Sequence, residues 1–152
     1  MITPQHIAYD VQVGSKKRAL ELLSELLAKN EPHLTPAEIF SSLVAREKLG
    51  ATSLGKGVAI PHGRFKEGEQ AIAAFVRLKK GVDFDAMDEE PVDLLFGLLV
   101  PESSEKDQEE YLKLLAQLAE MLSDASFREK LRHAKSREEL FDLITHWKPS
   151  HG

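Results

Sequence analysis

A chain of 152 residues has the length of one globular domain, and a domain of that size buries about 68–70% of the surface its unfolded chain exposes, so no cross-links are needed. The sequence contains no cysteine, which removes disulfides, thiolate metal sites and thiol nucleophiles together. Its composition, 42% hydrophobic and 30% charged with a formal net charge of −5, lacks the positive potential behind most non-specific nucleic-acid affinity, so no nucleic-acid partner is expected.

No stretch approaches the ~18 apolar residues of a membrane helix. The first twenty residues also lack the basic-then-apolar order of a signal peptide. A cytoplasmic location without membrane insertion is the expectation.

Taken in chain order, Ser15 caps a helix whose apolar residues Ala19, Leu20, Leu22, Leu23, Leu26 and Leu27 fall at helical spacing. It stops near Asn30, before Glu31-Pro32. Thr35-Pro36-Ala37-Glu38 combines a capping box with proline at the first helical position. This second helix turns Ile39, Phe40, Leu43 and Val44 inward, reaches about Glu47 and ends at Gly50. The pattern then changes. Glycines at 55, 57 and 63 surround the short apolar run Val58-Ala59-Ile60. Ala71–Leu78 reads as a strand, and Val92–Val100 as a second one, apolar on both faces and therefore covered on both. The acidic segment Asp83–Glu90 between them reads as a solvated loop.

A helix over Asp107–Leu122 aligns Leu112, Leu115, Leu118, Ala119 and Leu122. A shorter helix runs from Phe127 to about Lys135. The capping box Ser136-Arg137-Glu138-Glu139 opens a last one through Trp147, and the tail from Lys148 is expected to be loose. Helices, strands and helices in that order give an α/β or α+β layered domain, with the core over about 15–147.

Six histidines are present, at 6, 33, 62, 133, 146 and 151, and their spacings match no metal signature. His6, His33 and His151 lie in segments that read as exposed or terminal, and His133 and His146 in polar helices. No cofactor is implied. His62 differs through its neighbours. Pro61 contributes no N–H, so the strand should stop pairing there and the chain should leave the sheet. Gly63 has no Cβ, so a bulky group on the imidazole could approach the backbone. A neutral imidazole offers one ring nitrogen as a nucleophile. A phosphoryl group taken up on that nitrogen would need fixed N–H donors and a cation around it. Gly55-Lys56-Gly57 is not a phosphate-binding P-loop, because both the spacing and the following helix are missing. By itself Pro-His-Gly at a strand end is most often just a turn.

Three segments together carry a resemblance: Arg46-Glu47-Lys48-Leu49-Gly50-Ala51-Thr52, Gly55-x-Gly57-Val58-Ala59-Ile60-Pro61-His62-Gly63, and Pro91-Val92-Asp93-Leu94-Leu95-Phe96 with Leu99-Val100-Pro101. They resemble the enzyme IIA domains of fructose/mannitol type from the bacterial phosphoenolpyruvate-dependent phosphotransferase system. The opening Ser15–Glu21 is more similar to the nitrogen-regulatory branch, and the likeness extends to Ile144.

The resemblance implies an α/β fold with a mixed central sheet flanked by helices on both faces. It implies that His62 accepts a phosphoryl group on Nε2 from a histidine phosphocarrier protein, itself fed by phosphoenolpyruvate and enzyme I. Arg46 would stabilise the phosphoryl charge, and Thr52 and Gly63 would line the phosphate pocket. Many members carry a second histidine where this chain has Tyr111. That tyrosine either donates a hydrogen bond to the phosphoryl group or imidazole, or packs at a helix start. A regulatory phosphocarrier acting on transporters or sensor kinases is the leading reading, since no IIB, IIC or phosphocarrier segment accompanies the domain. Its alternatives are a sugar-specific component that passes phosphate to an enzyme IIB domain, and a docking module that has lost phosphorylation.

Overall fold

The structure, a computed structural model, describes residues 2–66, 70–102 and 105–148, with residues 105–107 described by their backbone alone. A 3-10 turn at Pro4–His6 leads into β1 (Ile7–Val11), then α1 (Lys16–Ala28) and α2 (Pro36–Glu47). Three short strands follow, β2 (Ser53–Gly55), β3 (Val58–Ala59) and β4 (His62–Phe65), and then the long pair β5 (Ile72–Val82) and β6 (Val92–Pro101). The helices α3 (Glu105–Ser123), α4 (Ala125–His133) and α5 (Arg137–His146) close the chain. The tail expected to be loose lies, beyond residue 148, outside the described residues.

The strands form one mixed sheet in the order β1-β5-β6-β3-β2, with β4 also pairing on β6. β5 and β6 are antiparallel, while β1 on β5 and both β3 and β4 on β6 are parallel. Side chains alternate along β6, so it feeds two cores. Leu95 and Leu99 join Leu20, Leu23, Leu27, Ile39 and Leu43 of α1 and α2. Leu94, Phe96, Leu98 and Val100 join Leu118, Leu122, Phe127, Leu131 and Leu140 of α3, α4 and α5. This is the double cover that the unbroken apolar run of β6 predicts, and it gives the α/β layering expected.

Several boundaries differ from the sequence expectation for identifiable reasons. The segment before Ser15 contributes a sheet strand, because Ile7 (1% exposed) pairs beside Phe75. β5 runs on to Val82 because Val82 and then Phe84 turn back into the first core, Phe84 with 0% exposure. The acidic segment is thus anchored at its start, although Met87 within it is fully exposed. Leu112 points outward from α3, and the inward stripe instead runs through Tyr111, Leu114, Leu115, Leu118 and Leu122. Helix α4 starts two residues before the expected Phe127, since Asp124 caps it by accepting from the Phe127 N–H at 3.2 Å.

One buried charge ties the sheet to α4. Between Ala8 and Val11 the β1 ladder carries an extra residue, a bulge that turns Asp10 (φ 54°) toward β5. Arg77, 7% exposed, donates to Asp10 Oδ1 at 2.9 Å and to the α4 C-terminal carbonyls of Leu131 (2.9 Å) and Ala134 (2.6 Å). A guanidinium there satisfies orphan carbonyls and opposes the negative helix end. Arg77→Ala is expected to cost about 3 kcal/mol, because it strips partners from buried acceptors. In a calorimetric scan this reads as a melting temperature lower by roughly 6–12 °C. An unshifted melting curve would show that Arg77 does not fasten α4.

Candidate functional site

The candidate histidine lies in the sheet and not beyond it, a correction to the expected exit at Pro61. Proline withholds one N–H, yet its carbonyl still accepts from the Leu98 N–H at 3.0 Å. Pairing resumes at once, with His62 opposite Leu98 and Gly63 opposite Leu99. β3 and β4 are in effect one strand laid along β6 with a break at Ile60-Pro61. The imidazole is accordingly not held out into solvent: His62 is 8% exposed. It lies on a sheet edge, since β4 pairs with β6 alone.

Two hydrogen bonds fix its chemistry. Nδ1 is 2.7 Å from the Ile60 carbonyl, which can only accept. Nε2 receives the Arg46 Nε–H at 3.1 Å, and a guanidinium can only donate. The proton therefore sits on Nδ1 and the lone pair on Nε2, the nitrogen that the resemblance implied. Burial pushes the imidazole pKa below its ordinary value of 6.5, partly opposed by the Ile60 hydrogen bond. The Arg46 charge lowers it further and the Glu47 charge raises it. The ring is neutral at pH 7 and has its lone pair aimed at a guanidinium.

Arg46 occupies the last turn of α2, where a basic residue suits the helix dipole. Its Nη1 donates to the Gly50 carbonyl at 2.8 Å, which closes the loop after the helix. The adjacent Glu47 side chain is 6% exposed and is gripped by Lys16 Nζ at 2.8 Å. Thr52, expected in the phosphate pocket, is 6% exposed and gives its hydroxyl to Glu47, with its N–H 3.4 Å from the same carboxylate. In this state its work is to lock Glu47 behind Arg46.

Gly63 also has a different occupant from the one expected. A Cβ there would lie 2.3 Å from Ser42 Oγ, so the space left by the missing side chain holds Ser42 and not a group on the imidazole. The Ser42 hydroxyl bridges the Arg64 backbone, receiving its N–H at 3.1 Å and donating to its carbonyl at 3.0 Å. Serine and glycine together seat α2 on the edge strand, which brings Arg46 within reach of His62.

Tyr111 covers the site from the other face of the sheet. Its ring centroid is 5.7 Å from that of His62, tilted by 57°. Burial raises the phenol pKa, against the charges of Arg64 and Arg46. The guanidinium carbon of Arg64 lies 4.8 Å over the Tyr111 ring. Sequence reasoning missed Ser42, Glu47 and Arg64. Arg64 carried a usable signal, two residues past His62 in a strand, which the assumption that the chain left the sheet concealed.

The remaining motifs resolve structurally. Lys56 and Gly57 turn through positive φ (58° and 79°) between β2 and β3. Asp88 accepts from the Lys56 N–H at 2.8 Å, and Arg132 Nη2 donates to the Lys56 carbonyl at 2.7 Å. A Cβ on Gly57 would lie 2.6 Å from Arg132 Nη2. His6, expected to be exposed, is 5% exposed and lies 3.3 Å from the Lys29 carbonyl. His33, His133 and His146 are exposed, and His151 is outside the described residues. Among the described residues no three of His, Cys, Asp or Glu gather as a metal site. No described helix is long and apolar enough to cross a membrane.

Comparison with known proteins bears on the family and the fold. Residues 1–147 match the family model described as "Phosphoenolpyruvate-dependent sugar phosphotransferase system, EIIA 2". A protein of Pseudomonas aeruginosa named "Nitrogen regulatory protein" is 46% identical over 144 residues, covering 95% of this chain and 92% of its own. The crystal structure of nitrogen regulatory protein IIA-Ntr from Neisseria meningitidis superposes with a TM-score of 0.87 at 45% identity, covering 94% of this chain and 95% of that one. The IIA mannitol structure from Escherichia coli shares the fold, with a TM-score of 0.74 at 24% identity over 95% of this chain and 99% of that one.

Proposed function

The chain belongs to the EIIA 2 family of the phosphoenolpyruvate-dependent sugar phosphotransferase system, and from that premise we propose that it is a regulatory phosphocarrier working in the cytoplasm, with His62 as the phosphoryl acceptor and donor. The single observation that carries this reading is the polarity of the His62 hydrogen bonds. Ile60 holds the proton on Nδ1, and Arg46 marks the place beside Nε2 where negative charge is welcome.

The donor is a phosphohistidine on a small carrier protein of the HPr or NPr kind. Arg46 releases the Nε2 lone pair, which attacks the phosphorus in line as the bond to the donor nitrogen breaks. The departing imidazole keeps that electron pair. Bonding through Nε2 makes the His62 ring more positive, and the Ile60 carbonyl 2.7 Å from Nδ1 stabilises that charge. The Arg46 guanidinium turns its paired N–H groups to the phosphoryl oxygens. Positioning and charge neutralisation supply most of the acceleration in such transfers.

Modification places about −2 charges on the sheet edge that carries His62, beside Arg46 and Tyr111. A partner that reads this edge therefore meets two different surfaces. The similarity to nitrogen regulatory proteins over nearly the whole chain favours regulation as the use of that difference.

The test is incubation with labelled phosphoenolpyruvate, enzyme I and the phosphocarrier, followed by peptide mapping. Acid-labile, base-stable label is expected at residue 62, staying there when an enzyme IIB domain is added. Absence of label refutes the carrier reading, and onward transfer to IIB would replace regulation with transport. The pH profile adds a second check. The depressed imidazole pKa keeps the acceptor neutral, so uptake should begin to fall at a lower pH than an ordinary imidazole would impose. The linked stability has the same sign: it is complete above pH 6.5, the unfolded value, and is lost as pH drops through the lower folded one.

A further inference from the structure

We propose that Arg64 is the second cation of the phosphoryl site, parked on the Tyr111 ring until a phosphoryl group arrives on His62; the inference rests on the phosphocarrier reading above. His62 and Arg64 are alternate residues of β4, opposite Leu98 and Val100, so both side chains leave the same face of the sheet. Tyr111 spans them, 5.7 Å from the imidazole by centroid and 4.8 Å beneath the guanidinium carbon.

The charges single out this arginine. Arg18, Arg77 and Arg132 each grip a carboxylate, and Arg46 holds the Gly50 carbonyl and His62. Among the described residues the Arg64 guanidinium donates to no carboxylate or carbonyl, so against them its five N–H groups are uncommitted. A phosphoryl group brings about −2 charges into a setting where His62 is only 8% exposed. Arg46 offsets one of them, and leaving the other in a poorly solvated place is costly. Arg64 supplies a cation on that face, two residues along β4.

The parking is reversible for a physical reason. Cation–π attraction at a half-exposed ring is weaker than a charge-assisted hydrogen bond to a phosphoryl oxygen. The arginine therefore exchanges one for the other. Only the side chain needs to move, because the Ser42 hydroxyl clamps both the N–H and the carbonyl of the Arg64 backbone. Tyr111 thus serves as a platform, and its ring matters more than its hydroxyl.

The test uses phosphoramidate, a small phosphoryl donor that needs no protein partner, on the full chain. The phosphoryl ionisation on His62 is followed by phosphorus NMR from pH 5 to 9. Among the described residues, the charged and titrating groups that face it are Arg46 and Glu47 from α2, Arg64 from β4 and Tyr111 from α3. In R64Q the midpoint should rise by about one pH unit, and uptake from the phosphocarrier should slow about tenfold. R64K should recover most of both, and Y111F should match the unmodified sequence. An unmoved midpoint in R64Q overturns the inference. So does a rise in Y111F as large as that in R64Q, which would give the work to the hydroxyl. Failure of phosphoramidate to modify residue 62 overturns it too. A protein modified by phosphoramidate but never by the phosphocarrier refutes the carrier reading instead, and the titration alone then decides the role of Arg64.

Discussion

Alanine at residue 62 is expected to leave the protein folded and wholly unable to take up phosphate. The fold survives because β4 is held by backbone pairing from His62 to Phe65 and by Ser42, none of which uses the imidazole. Uptake fails because, among the described residues, no other nucleophile stands in its place. The nearest candidate, Tyr111, has its phenol pKa raised by burial, which keeps it protonated and inert at neutral pH. Circular dichroism and thermal unfolding check the first half of the expectation, and labelling through the phosphocarrier checks the second. Label persisting in His62→Ala would move the acceptor elsewhere and end the proposed mechanism.

The second large effect falls on Arg46. Replacing it with alanine is expected to slow phosphoryl uptake about 10²–10³-fold, the usual loss when one preorganised donor to developing charge is removed. The substitution acts in two opposed directions. It frees the Nε2 lone pair from a donor 3.1 Å away and lets the imidazole pKa rise, because the Arg46 charge had lowered it. A freer and more basic nucleophile should react faster. The loss of neutralisation at the phosphoryl oxygens outweighs this, since those charges form in a mostly covered site. Arg46→Lys should fall between the two, because an ammonium supplies charge without the planar two-pronged fit. Melting temperature should change little, as the lost bonds are to an exposed loop carbonyl and the imidazole. Transfer at an undiminished rate would reduce Arg46 to a strut between α2 and β4.

These two residues show how the sites divide between chain and fold. Arg46 and His62 are 16 positions apart, and no local rule brings a helix end to a strand edge. Their contact depends on α2 packing tightly on β4, which Ser42 and Gly63 allow by sharing one small space. The same contact explains why the space at Gly63 holds Ser42. Thr52 likewise turned out to face Glu47, a partner whose burial depends on Lys16 from another helix.

The sequence by itself determined the helices and their starts. Ser15, Thr35 and Ser136 each accept from the N–H three residues on, as their capping patterns require. It also determined that β6 lies between two layers, because an apolar run at every position can be buried only on both sides. Capping and periodicity are local, decided within one turn or one pleat. Tertiary structure alone decided that β3 and β4 continue past Pro61, since a strand broken at one N–H is rescued by whichever neighbour supplies the remaining partners. It alone placed Tyr111 between His62 and Arg64, bringing α3 against an edge 47 positions earlier in the chain. Local patterns fix which residues turn inward, but the company each keeps is set by how helices settle on the sheet.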